Sequence, residues 1–292
     1  MNKYVRQTLD FLLFSNIFIA LCAVAQGLVT YQLLHTKPEN HVLGLLFCST
    51  LALYNFSILL SKPANPEKSA FRRVRWIFSH YRLMITLTII AVLSLLPLSF
   101  FLNTASKILL LSLALISVAY CLPIFSIHDK RFGLRNIPGV KLFLIAMVWA
   151  LSCVLLPVLE LESSVEAFVT VNDTILLIAK RFLFIAAITV PFDIRDLFQD
   201  KTNELKTIPV ILGEKQSLLI CQGLLVAYLI LLFLFTKGFD SNFWGLTLTI
   251  LLSGWLIFRS KWERNEYYYF FYLDGTMIVQ FIMLLICSSI PL

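Results

Sequence analysis

Nine stretches of this chain are long and apolar enough to cross a bilayer as helices. They cover roughly residues 9–34, 40–61, 81–101, 106–126, 139–159, 173–194, 214–236, 242–259 and 267–290. A spanning helix needs about 20 apolar residues. In hydrocarbon the backbone must satisfy its own hydrogen bonds, so a chain of such runs folds as a bundle of helices. Only 14% of the 292 residues are charged, against about a quarter in a soluble domain. The expected fold class is therefore all-α and polytopic, with nine transmembrane helices. Residues 1–292 read as a single membrane-embedded domain, because no segment between the runs is long enough for a separate one.

The chain is basic, with a formal net charge of +7. The basic residues do not form a nucleic-acid face; they lie in short loops between apolar runs, as topology signals do. Nineteen of the 24 Lys and Arg fall at the N-terminus and in alternate loops. That bias predicts a cytoplasmic N-terminus, an outside C-terminus and a plasma-membrane location of bacterial type. The six cysteines all sit inside apolar runs without CxxC spacing, and read as small buried hydrophobes. Two glycosylation-type triplets, at Asn55 and Asn172, read as chance.

The chemistry concentrates in "PFDIRDLFQDKTNELKTIPVILGEKQS", residues 191–217. Asp193, Asp196 and Asp200 follow i, i+3, i+7 spacing, which puts three carboxylates on one helix face. Carboxylates at the end of an apolar helix are costly unless neutralised, and three hard oxygen ligands suit Mg²⁺. Such a metal can hold a diphosphate, while Arg195, Lys201 and Lys206 are placed to contact phosphate oxygens.

This stretch resembles the motif N-D-I-R-D-x-x-x-D-R-x-x-G-x-x-T-L-P-V-x-x-G of the UbiA-type intramembrane prenyltransferases. Asp193, Ile194, Arg195, Asp196, Asp200, Thr207, Pro209, Val210 and Gly213 match; Phe192, Lys201 and Glu204 depart. The resemblance implies a nine-helix bundle around a central cavity. It implies transfer of a prenyl group from a prenyl diphosphate to a lipid-soluble acceptor, with Mg²⁺ on the three aspartates. It extends weakly to a second motif, Asn-x-x-x-Asp-x-x-x-Asp, after the second helix. Asn55 matches there, but Leu59 and Pro63 stand where the acids belong. Losing a metal site removes transition-state stabilisation. The basic loop holding Lys62, Lys68, Arg72, Arg73 and Arg75 is placed to supply that charge instead.

The resemblance also nominates Tyr120, Lys130, Arg131 and Lys141, after the fourth helix, as diphosphate contacts. Four other features have a functional and a structural reading, and the structural one is preferred. Glu67 reads as a stray ligand or a solvated acid, and His128 with Asp129 as a proton-removing pair or a solvated loop. Asp274 reads as an intramembrane functional carboxylate or one snorkelling to an interface, and Lys180 and Arg181 as residues facing a polar cavity or outer-interface anchors. Two function classes follow. One is an active divergent prenyltransferase. The other is a relative that has lost catalysis and binds an isoprenoid or a protein partner. The missing acids separate them.

Overall fold

The computed structural model describes residues 3–122, 125–127, 130–132, 134, 137, 139–163, 169–202, 205–236, 238–261 and 263–289, with backbone alone at 125–127, 130–132 and 163. The helices are α1 (Lys3–Phe14), α2 (Ile17–Leu33), α3 (Asn40–Leu60), α4 (Arg72–Ser79), α5 (Tyr81–Phe100), α6 (Thr104–Cys121), α7 (Val140–Ala150), α8 (Leu156–Ser163), α9 (Val171–Arg195), α10 (Leu197–Thr202), α11 (Ile208–Leu212), α12 (Glu214–Phe235), α13 (Ser241–Phe258) and α14 (Asp274–Ser289). Eight helical segments among the described residues are long and apolar enough to span a membrane. A ninth is counted if α1 and α2 form one bent span.

The first span is not one straight helix. α1 and α2 meet at 64°, and Asn16 between them takes a left-handed conformation (φ 66°, ψ 10°). Asn tolerates that region better than most residues. The fourth span is shorter than its apolar run. α6 stops at Cys121, and Phe125–Ile127 (β1) pairs antiparallel with Lys130–Phe132 (β2), in a short hairpin.

Two spans are interrupted by π turns. Leu151–Leu155 joins α7 to α8, and Tyr268–Leu273 leads into α14. Such turns insert an extra residue into a helix and often mark functional positions.

Neighbouring helices close a ring: α2 packs on α3, α3 on α6, α6 on α7, α7 on α9, α9 on α12, α12 on α13, α13 on α14, and α14 back on α2. α5 covers the outside of α3. Small residues permit the closest approaches. A Cβ at Gly245 of α13 would stand 3.1 Å from the Met283 carbonyl oxygen and 3.2 Å from the Leu284 Cα of α14. Large apolar side chains such as Leu96, Leu115, Leu219, Phe233 and Phe258 project outward from α5, α6, α12 and α13. A bundle with this surface suits hydrocarbon, not water. The chain is an integral membrane protein.

Arg181 differs from its reading as an interface anchor. It is buried in α9 (5% exposed) and donates to the Thr30 hydroxyl at 3.3 Å. Thr30 of α2 and Tyr228 of α12 lie beside it, neighbours that no single-span pattern reveals.

Candidate active site

The interior of the ring holds a cavity of about 220 Å³. Its polar wall comprises Asn16, Tyr54, Arg73, Lys141, Asp193, Arg195, Asp196 and Asp274. An apolar chamber of about 420 Å³ adjoins it between α3, α6 and α7, and the two share Tyr54, Arg73, Ile145 and Trp149. Tyr120 lines this chamber and not the polar cavity.

Asp193 enters from the last turn of α9 and is 3% exposed. Lys141, one residue into α7, reaches it with Nζ 2.5 Å from Oδ1. Asp196 sits at the turn between α9 and α10. Hydrogen bonds from Asp196 N to Phe192 O (3.1 Å) and from Asp200 N to Asp196 O (2.8 Å) carry the helical pattern through that turn. The i, i+3, i+7 face is thereby kept across two helices. Arg195 grips Asp196 with two bonds, Nε to Oδ1 and an Nη to Oδ2, both 2.8 Å. Asp200 is buried, and its Oδ2 has no hydrogen-bond partner among the described residues. Burial pushes its carboxyl above the usual range; nearby Lys141 opposes the shift, and Asp193 adds to it.

Asp193 and Asp196 are therefore held by separate cations, and the three carboxylates are not drawn together. Their donor chemistry still fits a hard divalent cation, since one buried oxygen, Asp200 Oδ2, is left orphaned. The second position does not fit. Leu59 and Pro63 offer no oxygen ligand from their side chains, and the Asn55 carbonyl oxygen accepts from Asn16 Nδ2 at 2.7 Å.

Arg73 occupies the space beside Asn55. It lies in α4, where Arg73 and Ile77 share a face at i, i+4 spacing. Ile77 is fully buried against Leu13, Phe14, Met84 and Phe270. That packing turns the Arg73 side chain inward, where an Nη donates to Asn16 Oδ1 at 2.5 Å. Its backbone N–H donates to Glu266 Oε2 at 3.2 Å. A carboxylate at this helix N-terminus offsets two arginines that the helix dipole disfavours. Burial lowers the Arg73 guanidinium to about 10, with Arg195 adding to the shift. The Glu266 carboxyl is raised by burial, against the hydrogen bond from Arg73. Phe270 lies between the two guanidiniums, 4.4 Å from Arg73 and 4.8 Å from Arg195 by ring centroid. The ring's negative faces lower the cost of keeping two cations close.

Several expected contacts lie elsewhere. Arg72 points away from the cavity and pairs with Asp10, which also accepts from the Tyr267 hydroxyl. Neighbouring residues on a helix cannot share a face, and Arg73 has the inward one. Lys206 is exposed and borders a small void beside Lys141 and Asp193. Lys130 and Arg131 lie on β2, where side chains fall outside the described residues, as do His128 and Asp129. Glu67 is exposed. Asp274 does not snorkel: it is 8% exposed and lines the cavity. Asn16, Asp10 and Glu266 carry no motif; the polar pair Ser15-Asn16 inside the first apolar run is the one local signal that could have pointed to any of them.

No family model and no curated protein matches this sequence. The architecture does find counterparts. A UbiA homologue from Archaeoglobus fulgidus, solved bound to GPP and Mg²⁺, superposes with a TM-score of 0.66 over 96% of this chain and 100% of its own. The chain has the UbiA fold. Sequence identity to that homologue is only 14%. A digeranylgeranylglyceryl phosphate synthase structure gives a TM-score of 0.58 at 14% identity, covering 98% of this chain and 100% of its own. An apo UbiA homologue from Aeropyrum pernix K1 gives 0.54 at 16% identity, with 95% of each chain covered. Archaeoglobus structures of this fold have also been solved with DMAPP and Mg²⁺, and with Cd²⁺.

Proposed function

We propose that the central cavity holds the diphosphate of a prenyl diphosphate and that the protein transfers the prenyl group to a lipid-soluble acceptor. One observation carries this reading. Arg73, Arg195 and Lys141 converge on a polar cavity that shares a wall with an apolar chamber, the two environments that an isoprenoid diphosphate needs. The UbiA homologue solved with GPP and Mg²⁺ supports the choice of ligand.

In this reading Lys141 and Arg195 exchange Asp193 and Asp196 for phosphate oxygens when the diphosphate enters. Arg73 contacts it from the Asn55 side, where two acids of the motif are missing. Mg²⁺ would be held by Asp193, Asp196 and Asp200, and when bound would offset diphosphate charge. The bond between the prenyl C1 and the diphosphate oxygen breaks, and its electron pair leaves with the diphosphate. The acceptor supplies the pair for the new bond to C1 and gives up a proton. Tyr54 and Trp149, between the two spaces, present aromatic faces suited to an allylic cation. The basic loops are assigned to the cytoplasmic side, with the cavity opening toward them.

The test is incubation of purified protein with labelled prenyl diphosphates, Mg²⁺ and lipophilic phenols or quinone precursors, with diphosphate release as the readout. Release that depends on Arg73 and Arg195 is expected. Tight binding without release would replace transfer by the second reading, an isoprenoid-binding relative, which the loss of acids at Leu59 and Pro63 favours.

A further inference from the structure

A second constellation stands at the far end of α3. His41 and Asn55 are fourteen residues apart on that helix, or about 21 Å at 1.5 Å per residue. His41 Nε2 lies 3.3 Å from Glu39 Oε2 and 3.5 Å from Glu160 Oε2. Among the described residues this is the one His/Cys/Asp/Glu group whose ligand atoms all lie within 4.8 Å of one another. The three side chains come from the residue before α3, the first turn of α3, and α8.

The group is built rather than incidental. Glu160 is 4% exposed. The backbone N–H of Asn103 donates to its Oε1 at 3.0 Å, and the Asn103 amide donates to the Leu159 carbonyl at 2.7 Å. Those bonds fix the α8 end and leave Oε2 toward His41. Tyr31, only 1% exposed, lies within the field of both glutamates, with its hydroxyl beside the Glu39 backbone. His41 Nε2 is also enclosed, with no hydrogen bond of acceptable geometry.

The geometry points to a cation. Two carboxylate oxygens converge on one imidazole nitrogen, and the Glu160 carboxylate is almost fully buried. Tetrahedral metal–ligand bonds of about 2.0–2.2 Å place neighbouring ligand atoms about 3.3–3.6 Å apart. The two measured edges are 3.3 and 3.5 Å. A nitrogen and two carboxylate oxygens suit Zn²⁺ better than Mg²⁺, which prefers six oxygens.

We propose that Glu39, His41 and Glu160 form a structural Zn²⁺ site, with Tyr31 as an outer-shell neighbour. The ion ties the connection between α2 and α3 to α8, at the end of the bundle remote from the central cavity.

The test uses the full chain, purified in detergent through a tag that binds no metal, stripped with chelator and titrated with Zn²⁺ against a chromophoric competitor. One tight equivalent is expected, with a rise in melting temperature. Glu160→Gln and His41→Gln should each weaken Zn²⁺ binding by more than the roughly 10–100-fold typical of an outer-shell partner, and should abolish the thermal shift. Tyr31→Phe should fall within that range. Arg73→Ala, in the other site, should bind Zn²⁺ as wild type does, which separates this site from the central cavity. If stripped wild type takes up no Zn²⁺, the three side chains form a polar cluster only and the site is withdrawn. It is equally withdrawn if the glutamine variants, monodisperse on size exclusion, bind Zn²⁺ with unchanged affinity.

Discussion

Asn16 donates its side-chain amide to the Asn55 carbonyl oxygen at 2.7 Å, across 39 residues. Its own carbonyl oxygen receives Arg73 at 2.5 Å. One left-handed residue at a helix break thus carries the surviving member of the degenerate motif on one hand and the replacing cation on the other. The first prediction tests that junction. Asn16→Gly keeps the φ of 66° at little steric cost and removes both bonds. Asn16→Ala removes the bonds and adds about 1–2 kcal/mol of left-handed strain. Thermal unfolding in detergent should rank wild type above Gly and Gly above Ala. Equal melting temperatures for Gly and Ala would mean that the backbone relaxes at this break.

Arg72 and Arg73 are adjacent and should behave as opposites. Arg73→Ala should weaken a non-hydrolysable prenyl diphosphate analogue by roughly ten- to a hundredfold, the equivalent of one charge-assisted hydrogen bond of about 1.5–3 kcal/mol. Arg72→Ala should leave that affinity in place and lower stability, since Asp10, 4% exposed, loses its cation. Calorimetric titration and thermal melting of the two variants decide the matter; a matching loss of affinity in both would erase the distinction between inward and outward arginine.

Asp200 supplies a pH signature. Its carboxyl is raised, by burial first. The folded state therefore holds this proton at pH values where the unfolded chain has lost it. Its contribution favours folding on the acid side and is lost as pH rises from the ordinary carboxylate range through the raised value. The Asp200→Asn variant should show a flatter stability profile across that window. Any Mg²⁺ enhancement of analogue binding should also fade at higher pH than an ordinary aspartate would allow, because protonation removes a ligand while Lys141, Arg73 and Arg195 stay charged. A Mg²⁺ effect that titrates only near pH 4, the ordinary aspartate value, would exclude Asp200 as the ligand.

Orientation is open to direct labelling. Single cysteines at Ser69, beside α4, and at Gly238, between α12 and α13, should react with membrane-impermeant maleimide from opposite sides of sealed vesicles, on a background lacking the native cysteines. The residue-69 site should be reached only from the cytoplasmic side. Reaction of both from the same face would overturn the orientation read from the Lys and Arg distribution.

Much of this was legible in the sequence, for definable reasons. Hydropathy located the spans because bilayer thickness imposes length. The aspartate triplet and Arg195 were legible because local spacing places them at one end of a span, whereas Lys141, 52 residues from Asp193, was nominated only by the family resemblance. Arg73 could be nominated but not told from Arg72, since the choice depends on Ile77 docking against Phe14 and Phe270. Asn16, Asp10 and Glu266 were missed because their partners lie 39, 62 and 193 residues away. The same blindness placed Arg181 at an interface and Asp274 in the snorkelling position, when tertiary packing encloses both.

The π turn at Tyr268–Leu273 is a one-residue change of frame written inside a helix. Every side chain beyond it, Asp274 included, is rotated by about 100° from where a regular 3.6-residue count begun at Tyr267 would put it. A relative lacking this turn would align here only with a single-residue gap in the middle of an otherwise uninterrupted span. Ungapped matching would then pair cavity-facing positions in one protein with lipid-facing ones in the other. Gain or loss of one codon in that stretch, with no change in the helix ends, is enough to exchange which residues of α14 line the cavity.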